Sequence, residues 1–212
     1  MSRLAPGVID VPRERLGEAV GVLARAFAAD PLMDYLSGGQ ERPRGAVMRD
    51  FFRFSCEVNL QLGWLLLGLV LRTRLAAVAC ISRPDAAEWP EALTEMYRAL
   101  ARSVGKEAAG RIERYAALVD SHLPRQPMFY VSAIGVRPES HGRSYGRLLE
   151  EVHARASAHP RTVDVGLDTE NPNNVPLYKS LGYHVAAEVV LDDLRVWCMF
   201  RPNEAEREVG QG

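Results

Sequence analysis

Phe129-Tyr130-Val131-Ser132-Ala133-Ile134-Gly135-Val136 runs directly into Arg137-Pro138-Glu139-Ser140-His141-Gly142-Arg143-Ser144-Tyr145-Gly146. The first eight residues, with Met128 ahead of them, are rich in β-branched and aromatic side chains and read as a long strand. Beyond the loop, Tyr145, Leu148, Leu149, Val152 and Ala156 recur at helical spacing and form one apolar face. The string is therefore strand, short loop, helix. Gly142, Ser144 and Gly146 are small and leave backbone amides uncovered where the helix starts. A helix N-terminus carries free N–H groups and partial positive charge, so it holds phosphate well. Arg137, Arg143 and Arg147 can add charge there. An ordinary strand-to-helix turn is the competing reading, because a glycine pair alone is a weak signal. A Walker loop needs GxxxxGK followed by Ser or Thr, and no such string occurs. A Rossmann fingerprint belongs after the first strand, and this loop comes late in the chain.

The segments around this string extend the same alternation. Thr162–Leu167 reads as a strand, followed at once by Asp168-Thr169-Glu170-Asn171-Pro172-Asn173-Asn174-Val175-Pro176-Leu177-Tyr178-Lys179-Ser180-Leu181-Gly182-Tyr183. Asn173 or Asn174 can cap a short helix with Pro176 in its first turn, and Gly182 suits the position just past its end. Tyr178 then projects beside the end of the preceding strand. Tyr183–Val190 and Leu194–Phe200 form a hairpin about Asp192-Asp193. Towards the N-terminus, Val8–Val11 reads as a strand and Leu16, Ala19, Val20, Leu23 and Phe27 as a helix that stops before Asp30-Pro31. Val47, Phe51, Phe54 and Val58 mark a second helix. Gln61–Leu67 and Leu75–Ile81 read as strands, joined by an unusually apolar connection, Gly68–Arg74. Two more helices are marked by Leu93, Met96, Tyr97 and Leu100, and by Ile112, Tyr115, Ala116 and Val119. The order predicts an α/β chain on a mixed sheet.

The 212 residues suit one domain, and 47% are apolar, enough for a full core. A formal charge of −1 argues against a nucleic-acid partner, which needs a basic face. Cys56, Cys80 and Cys198 fit neither a zinc site nor a CxxC redox motif and read as buried thiols. The five histidines form no metal pattern. The N-terminus lacks a secretory apolar region, and the run Leu60–Leu71 is too short to span a bilayer. A cytoplasmic protein without a membrane partner is the expectation.

The loop and the Asn-Tyr helix together resemble the coenzyme A signature of the GNAT N-acetyltransferase superfamily. The first motif, Gln/Arg-x-x-Gly-x-Gly/Ala, aligns on His141 to Gly146. The second aligns on Asn171, Asn174, Tyr178 and Gly182-Tyr183. Two motifs in the right order and setting, spanning about a third of the chain, are a joint signal that neither is alone. Within the superfamily, Ala26–Pro31, Pro124–Val136 and Arg195–Met199 resemble the puromycin N-acetyltransferase-like branch. The sequence departs from the pattern at His141, where Gln or Arg is usual, and at Ser144, where Gly is usual. Backbone amides carry most of the phosphate contact, so neither change is expected to abolish binding.

The resemblance implies a GNAT-like fold: a mostly antiparallel central sheet with a splayed pair of central parallel strands, flanked by helices. It implies a single domain over residues 1–204, with 1–126 the acceptor side and 127–204 the acetyl-CoA side, and 205–212 a polar tail. The activity implied is transfer of acetyl from acetyl-CoA to a primary amine of a small molecule. A protein or peptide acceptor and a non-catalytic acyl-CoA-binding module are the alternatives. Coenzyme A would contact Ala133, Ile134 and Val136 on the strand, then His141, Gly142, Arg143, Ser144, Tyr145, Gly146 and Arg147, and then Asn171, Asn174 and Tyr178. A backbone N–H near Ala133 or Ile134 would face the thioester oxygen, and Tyr178 would protonate the departing thiolate. The base is not identified: Asp168, Glu170 and Glu139 read as solvated carboxylates. Phe27, Asp30, Pro31, Tyr35, Trp89 and Tyr97 are candidates to line the acceptor side, with Asp30 or Asp34 attracting an ammonium. A homodimer is compatible with such a domain.

Overall fold

A computed structural model describes residues 7–38, 43–85, 88–140, 143–162 and 164–202. Among the described residues seven strands form one sheet: β1 (Gly7–Asp10), β2 (Leu65–Leu71), β3 (Arg74–Ser82), β4 (Met128–Val136), β5 (Asp164–Thr169), β6 (His184–Leu191) and β7 (Leu194–Pro202). Their spatial order is β1-β2-β3-β4-β5-β7-β6. Every neighbouring pair is antiparallel except β4 and β5, which are parallel. The fold is thus the mixed, mostly antiparallel α/β sheet expected from the sequence.

The helices cover both faces. α1 (Leu16–Ala26), α2 (Pro31–Ser37) and α3 (Arg44–Gln61) lie on one side, followed by α4 (Glu91–Val104) and α5 (Lys106–His122). Leu23, Phe52, Val78 and Cys80 meet in the core on this side. On the other side α6 (Arg143–Ser157) and α7 (Asn174–Ser180) bury Leu148, Leu149, Val152 and Tyr178 against Leu67, Val131 and Leu167. All three cysteines are free and buried, Cys56 and Cys80 with their sulfurs 3.9 Å apart. Among the described residues no helix is long and apolar enough to cross a membrane.

Two irregularities in the sheet shape its centre. The β3–β4 ladder pairs Cys80 with Ala133 but Ile81 with Val131, so Ser132 is an extra residue bulged out of β4. Phe129 and Val131 face the α6 core before the bulge, and Ile134 and Val136 face it again afterwards. The β4–β5 ladder covers only Met128–Val131 against Asp164–Leu167. β4 continues to Val136 and β5 to Thr169 without pairing with each other, so the parallel strands splay apart.

The structure corrects three sequence readings. The second strand is 65–71 and not Gln61–Leu67: Gln61 ends α3, and the apolar Gly68–Leu71 belongs to the strand itself. The β2–β3 turn is only Arg72-Thr73, and Arg72 has a φ of 60°. Arginine rarely occupies that region, which is why no turn dipeptide marks it; Arg15 donates to the Thr73 carbonyl at 3.2 Å and ties the turn down. α1 stops at Ala26, ahead of Asp30-Pro31 as expected, and that pair also starts a further helix, α2: Asp30 is the N-cap, accepting from the Leu32 amide at 3.0 Å, and Pro31 follows in the first turn. Lastly, the strand placed at 162–167 lies at 164–169, two residues later.

Gly135 sets how closely α1 approaches the half of β4 that β5 leaves. A Cβ there would lie 2.7 Å from the Ala26 Cβ and 3.2 Å from Leu23. The Ala26 Cβ is fixed to the helix backbone and cannot swing aside, and the Leu23 Cα also lies within 3.5 Å, so Gly135→Ala should destabilise the fold by about 1–3 kcal/mol in denaturant unfolding. An unchanged midpoint would show that α1 can move away freely.

Candidate active site

The splay of β4 and β5 opens a cavity of about 370 Å³. One wall is β4 from Val131 to Val136. The opposite wall is the end of β5 and the turn into α7, with Asp168, Thr169, Glu170, Asn171 and Asn174. Tyr145 from α6 and Tyr178 from α7 close it on the third side, and Phe27, Asp30 and Leu32 on the fourth. Ala133, Ile134, Val136, Tyr145, Asn171, Asn174 and Tyr178, all singled out from the sequence, are thus brought together around one space. Along this wall β4 has no strand beside it on the β5 side, so its peptide edge is open to a ligand.

The remaining sequence candidates lie at the start of α6. Ser144 is buried and Arg147 exposed, and neither they nor Gly146 line the cavity. A Cβ added to Gly146 would meet nothing within 4 Å, so packing within the chain does not demand glycine there. Arg143 begins the helix. His141 and Gly142 lie outside the described residues. Arg137 is turned away: its Nε donates to the Leu75 carbonyl at 2.6 Å, between β3 and β4.

The turn into α7 is held by its own polar side chains. Asn171 Oδ1 accepts from the Asn173 amide at 3.0 Å, and Asn174 Nδ2 donates to Thr169 Oγ1 at 3.2 Å. Asn173 stands at the N-cap without a side-chain bond, so neither Asn173 nor Asn174 caps as expected. Gly182, with φ 87°, follows the helix as anticipated. Tyr178 is buried, and its hydroxyl is hydrogen-bonded to that of Tyr145. Burial, reinforced by Tyr145, holds the Tyr178 phenol well above its ordinary value, so it stays protonated at neutral pH.

The acidic residues overturn the sequence reading. Asp168 and Glu170 are not solvated: Glu170 is only 6% exposed and Asp168 is half-buried. Tyr115 from α5 and Tyr130 from β4 both donate to Asp168, and Tyr115 also lies 2.5 Å from Glu170 Oε1. One phenol has one proton, so it cannot donate to both carboxylates at once. A proton on Glu170 resolves this, and burial together with the Asp168 charge pushes the Glu170 carboxyl well above its usual range. Asp168 is raised too, chiefly by burial, but the tyrosine hydroxyls and Glu170 oppose that rise. Glu170 is thus the readier of the two to hold a proton and Asp168 the readier to ionise. The available sequence signal was the two-residue spacing of Asp168 and Glu170; Tyr115 comes from 53 residues away and could not be read with them.

The acceptor candidates divide. Phe27 and Asp30 line the cavity, and Trp89 lines a second one described below. Tyr35 instead donates to Asp192 at 2.7 Å, Tyr97 to Glu113 at 2.9 Å, and Asp34 pairs with Arg44 on the surface. Pro31 lines neither cavity. Glu139 is exposed beside Arg137.

Burial raises Asp30 from 3.8 to about 6, with the Asp168 charge adding to the rise and the Leu32 amide opposing it. The folded state then binds more protons than the unfolded one between roughly pH 4 and 6, so this residue's contribution to stability falls as pH rises through that window. Asp30→Asn keeps the capping acceptor and removes the titration. In thermal unfolding it should gain on the parent as pH is raised from 4 to 7, by up to about 3 kcal/mol. A difference that does not change with pH would mean that Asp30 titrates normally.

No family model matches the sequence. The structure is similar to several solved ones. A protein of Corynebacterium glutamicum described as histone acetyltransferase HPA2 and related acetyltransferase superposes with a TM-score of 0.66 at 19% identity, covering 94% of this chain and 97% of that one. Arylalkylamine N-acetyltransferase 2 of Aedes aegypti gives 0.67 at 14%, covering 93% and 98%. Polyamine N-acetyltransferase of Drosophila melanogaster gives 0.58 at 18%, covering 93% and 100%. The chain therefore has the fold of the GNAT N-acetyltransferases over nearly its whole length.

Proposed function

We propose that this protein is an acetyl-CoA-dependent N-acetyltransferase acting on a primary amine of a small molecule. The observation that carries the reading is the splayed β4–β5 cavity, which puts an unpaired strand edge, a protonated tyrosine pair and a buried carboxylate around one space. The comparison structures named above include enzymes of arylalkylamine and polyamine acetylation, which supports an amine acceptor. The resemblance of residues 26–31, 124–136 and 195–199 to puromycin N-acetyltransferase-like proteins is a reason to include an aminonucleoside among candidate acceptors.

The residues fit coenzyme A. The open edge of Ala133, Ile134 and Val136 would pair with an extended amide chain. The first-turn amides of α6, at Arg143, Ser144 and Gly146, would take phosphate, and the clear space at Gly146 suits a group approaching the backbone. Arg147, exposed beside them, would add charge. Asn171 and Asn174 would flank the chain from the α7 turn. When bound, acetyl-CoA supplies a thioester carbonyl open to attack by nitrogen.

The chain's own groups would manage the protons. Asp168, ionised and held by Tyr115 and Tyr130, would take the proton that the amine must lose. As the nitrogen bonds to the carbonyl carbon, the carbon–sulfur bond breaks and its electron pair leaves on sulfur. Tyr178 would give that sulfur a proton, and the products are an amide and a thiol. A buried phenol is a reluctant acid; once its proton passes to sulfur, the Tyr145 hydroxyl would turn to donate to the Tyr178 oxygen and carry part of the charge that develops there. Next to the ladder slip at Ser132, a backbone N–H near Ala133 or Ile134 would face the carbonyl oxygen.

Release of free thiol from acetyl-CoA, followed across a panel of primary amines, tests the reading; no release with any amine and no coenzyme A binding would overturn it. Tyr178→Phe should lower kcat by about 10²-fold or more with little change in the KM for acetyl-CoA. Asp168→Asn should lower kcat/KM for the amine by about 10²–10⁴-fold. Unchanged turnover in either variant removes that residue from its role.

A further inference from the structure

A second, larger cavity of about 1240 Å³ lies on the far side of β4 from α6. It shares Phe27, Leu32, Ser132, Ala133 and Asp168 with the first, so the two meet at the bulge in β4. Its walls come from α2, α3, α5 and the 123–127 loop. Met33, Phe51, Phe52, Trp89 and Ile112 make them mainly apolar. The charges are few and their placement is uneven. Asp168 sits at the inner end with Tyr115 and Tyr130, while Asp120 and Arg125 are exposed and of opposite sign.

We propose that this cavity is the acceptor pocket and that it selects a monoamine carrying a bulky apolar body. The proposal rests on the acetyltransfer reading above. An ammonium at the inner end meets the carboxylate of Asp168 where the two cavities join. The body of the molecule then lies among Phe51, Phe52, Trp89 and Ile112, where each buried methylene adds affinity. A second ammonium held among those side chains would have to leave water there without a carboxylate beside it, since the other lining carboxylate, Asp120, is exposed to solvent, and that is strongly unfavourable. The pocket thus attracts one positive charge and rejects a second. Its size exceeds what a short alkylamine fills, so selectivity grows with the apolar body and not with the amine itself.

The test uses acetyl-CoA at saturation with straight-chain monoamines from propylamine to hexylamine, which have nearly equal amine basicity. Each is compared with the diamine of the same chain length, and 2-phenylethylamine is added. Expected is a rise in kcat/KM of about fourfold per methylene, with each diamine lagging its monoamine by about 100-fold or more. Trp89→Ala should flatten the dependence on chain length. Thiol release that is flat with chain length, equal for diamines, or better with a peptide N-terminus would overturn the inference and leave the acetyltransfer reading standing. If no amine is turned over, that reading fails, and binding decides the inference. Quenching of tryptophan fluorescence by hexylamine but not by 1,6-diaminohexane, without donor present, would support the pocket assignment; equal or absent quenching would overturn it.

Discussion

Between Val131 and Val136, β4 continues without β5 beside it, and its ladder to β3 slips by one residue at Ser132. A strand in the middle of a sheet normally has both edges paired, because unpaired peptide groups are costly away from water. Here the parallel partner departs while the antiparallel one stays. The result is a central strand with an open edge inside the molecule, and the rest of the site is arranged about it. Below the splay the strands close over Phe129 and Val165 and are buried. Above it they become the walls of two cavities that meet at Ser132 and Ala133.

The groups that face this opening are displaced from their usual protonation behaviour by the same cause. Tyr178, Asp168, Glu170 and Asp30 are all shifted upward chiefly by burial, and the charge of Asp168 adds to the shifts at Glu170 and Asp30. In acids held in low dielectric the charge on one opposes the charge on the next, so each of these groups is harder to ionise than it would be in water. Desolvated carboxylates weaken the fold, and they persist only because Tyr115, Tyr130 and the Leu32 amide supply hydrogen bonds.

The legibility of these parts differed with their range in sequence. Strand, loop and helix from 128 to 157 were readable because each is set by local periodicity and by small residues. The α7 helix with Tyr178 and the hairpin after it were readable for the same reason. α2 was missed because Asp-Pro signals both an end and a start. The β2–β3 turn was missed because Arg72 adopts a left-handed conformation that its identity does not advertise. Asp168 and Glu170 were misjudged because Tyr115 and Tyr130 pack over them, and neither adjoins them in the chain.

The sequence by itself determined the order of elements, the helix start that presents Gly146 and its neighbours, and the placement of Tyr178 at the end of a strand–turn–helix unit. All of these depend on contacts within about one turn or one strand. Only the tertiary structure decided where β4 and β5 part, after Val131, that two carboxylates share a buried site with two tyrosines, and that an apolar chamber opens behind the bulge. Those features arise where segments far apart in the chain are pressed together, and no local pattern of side chains records which neighbour will take water's place.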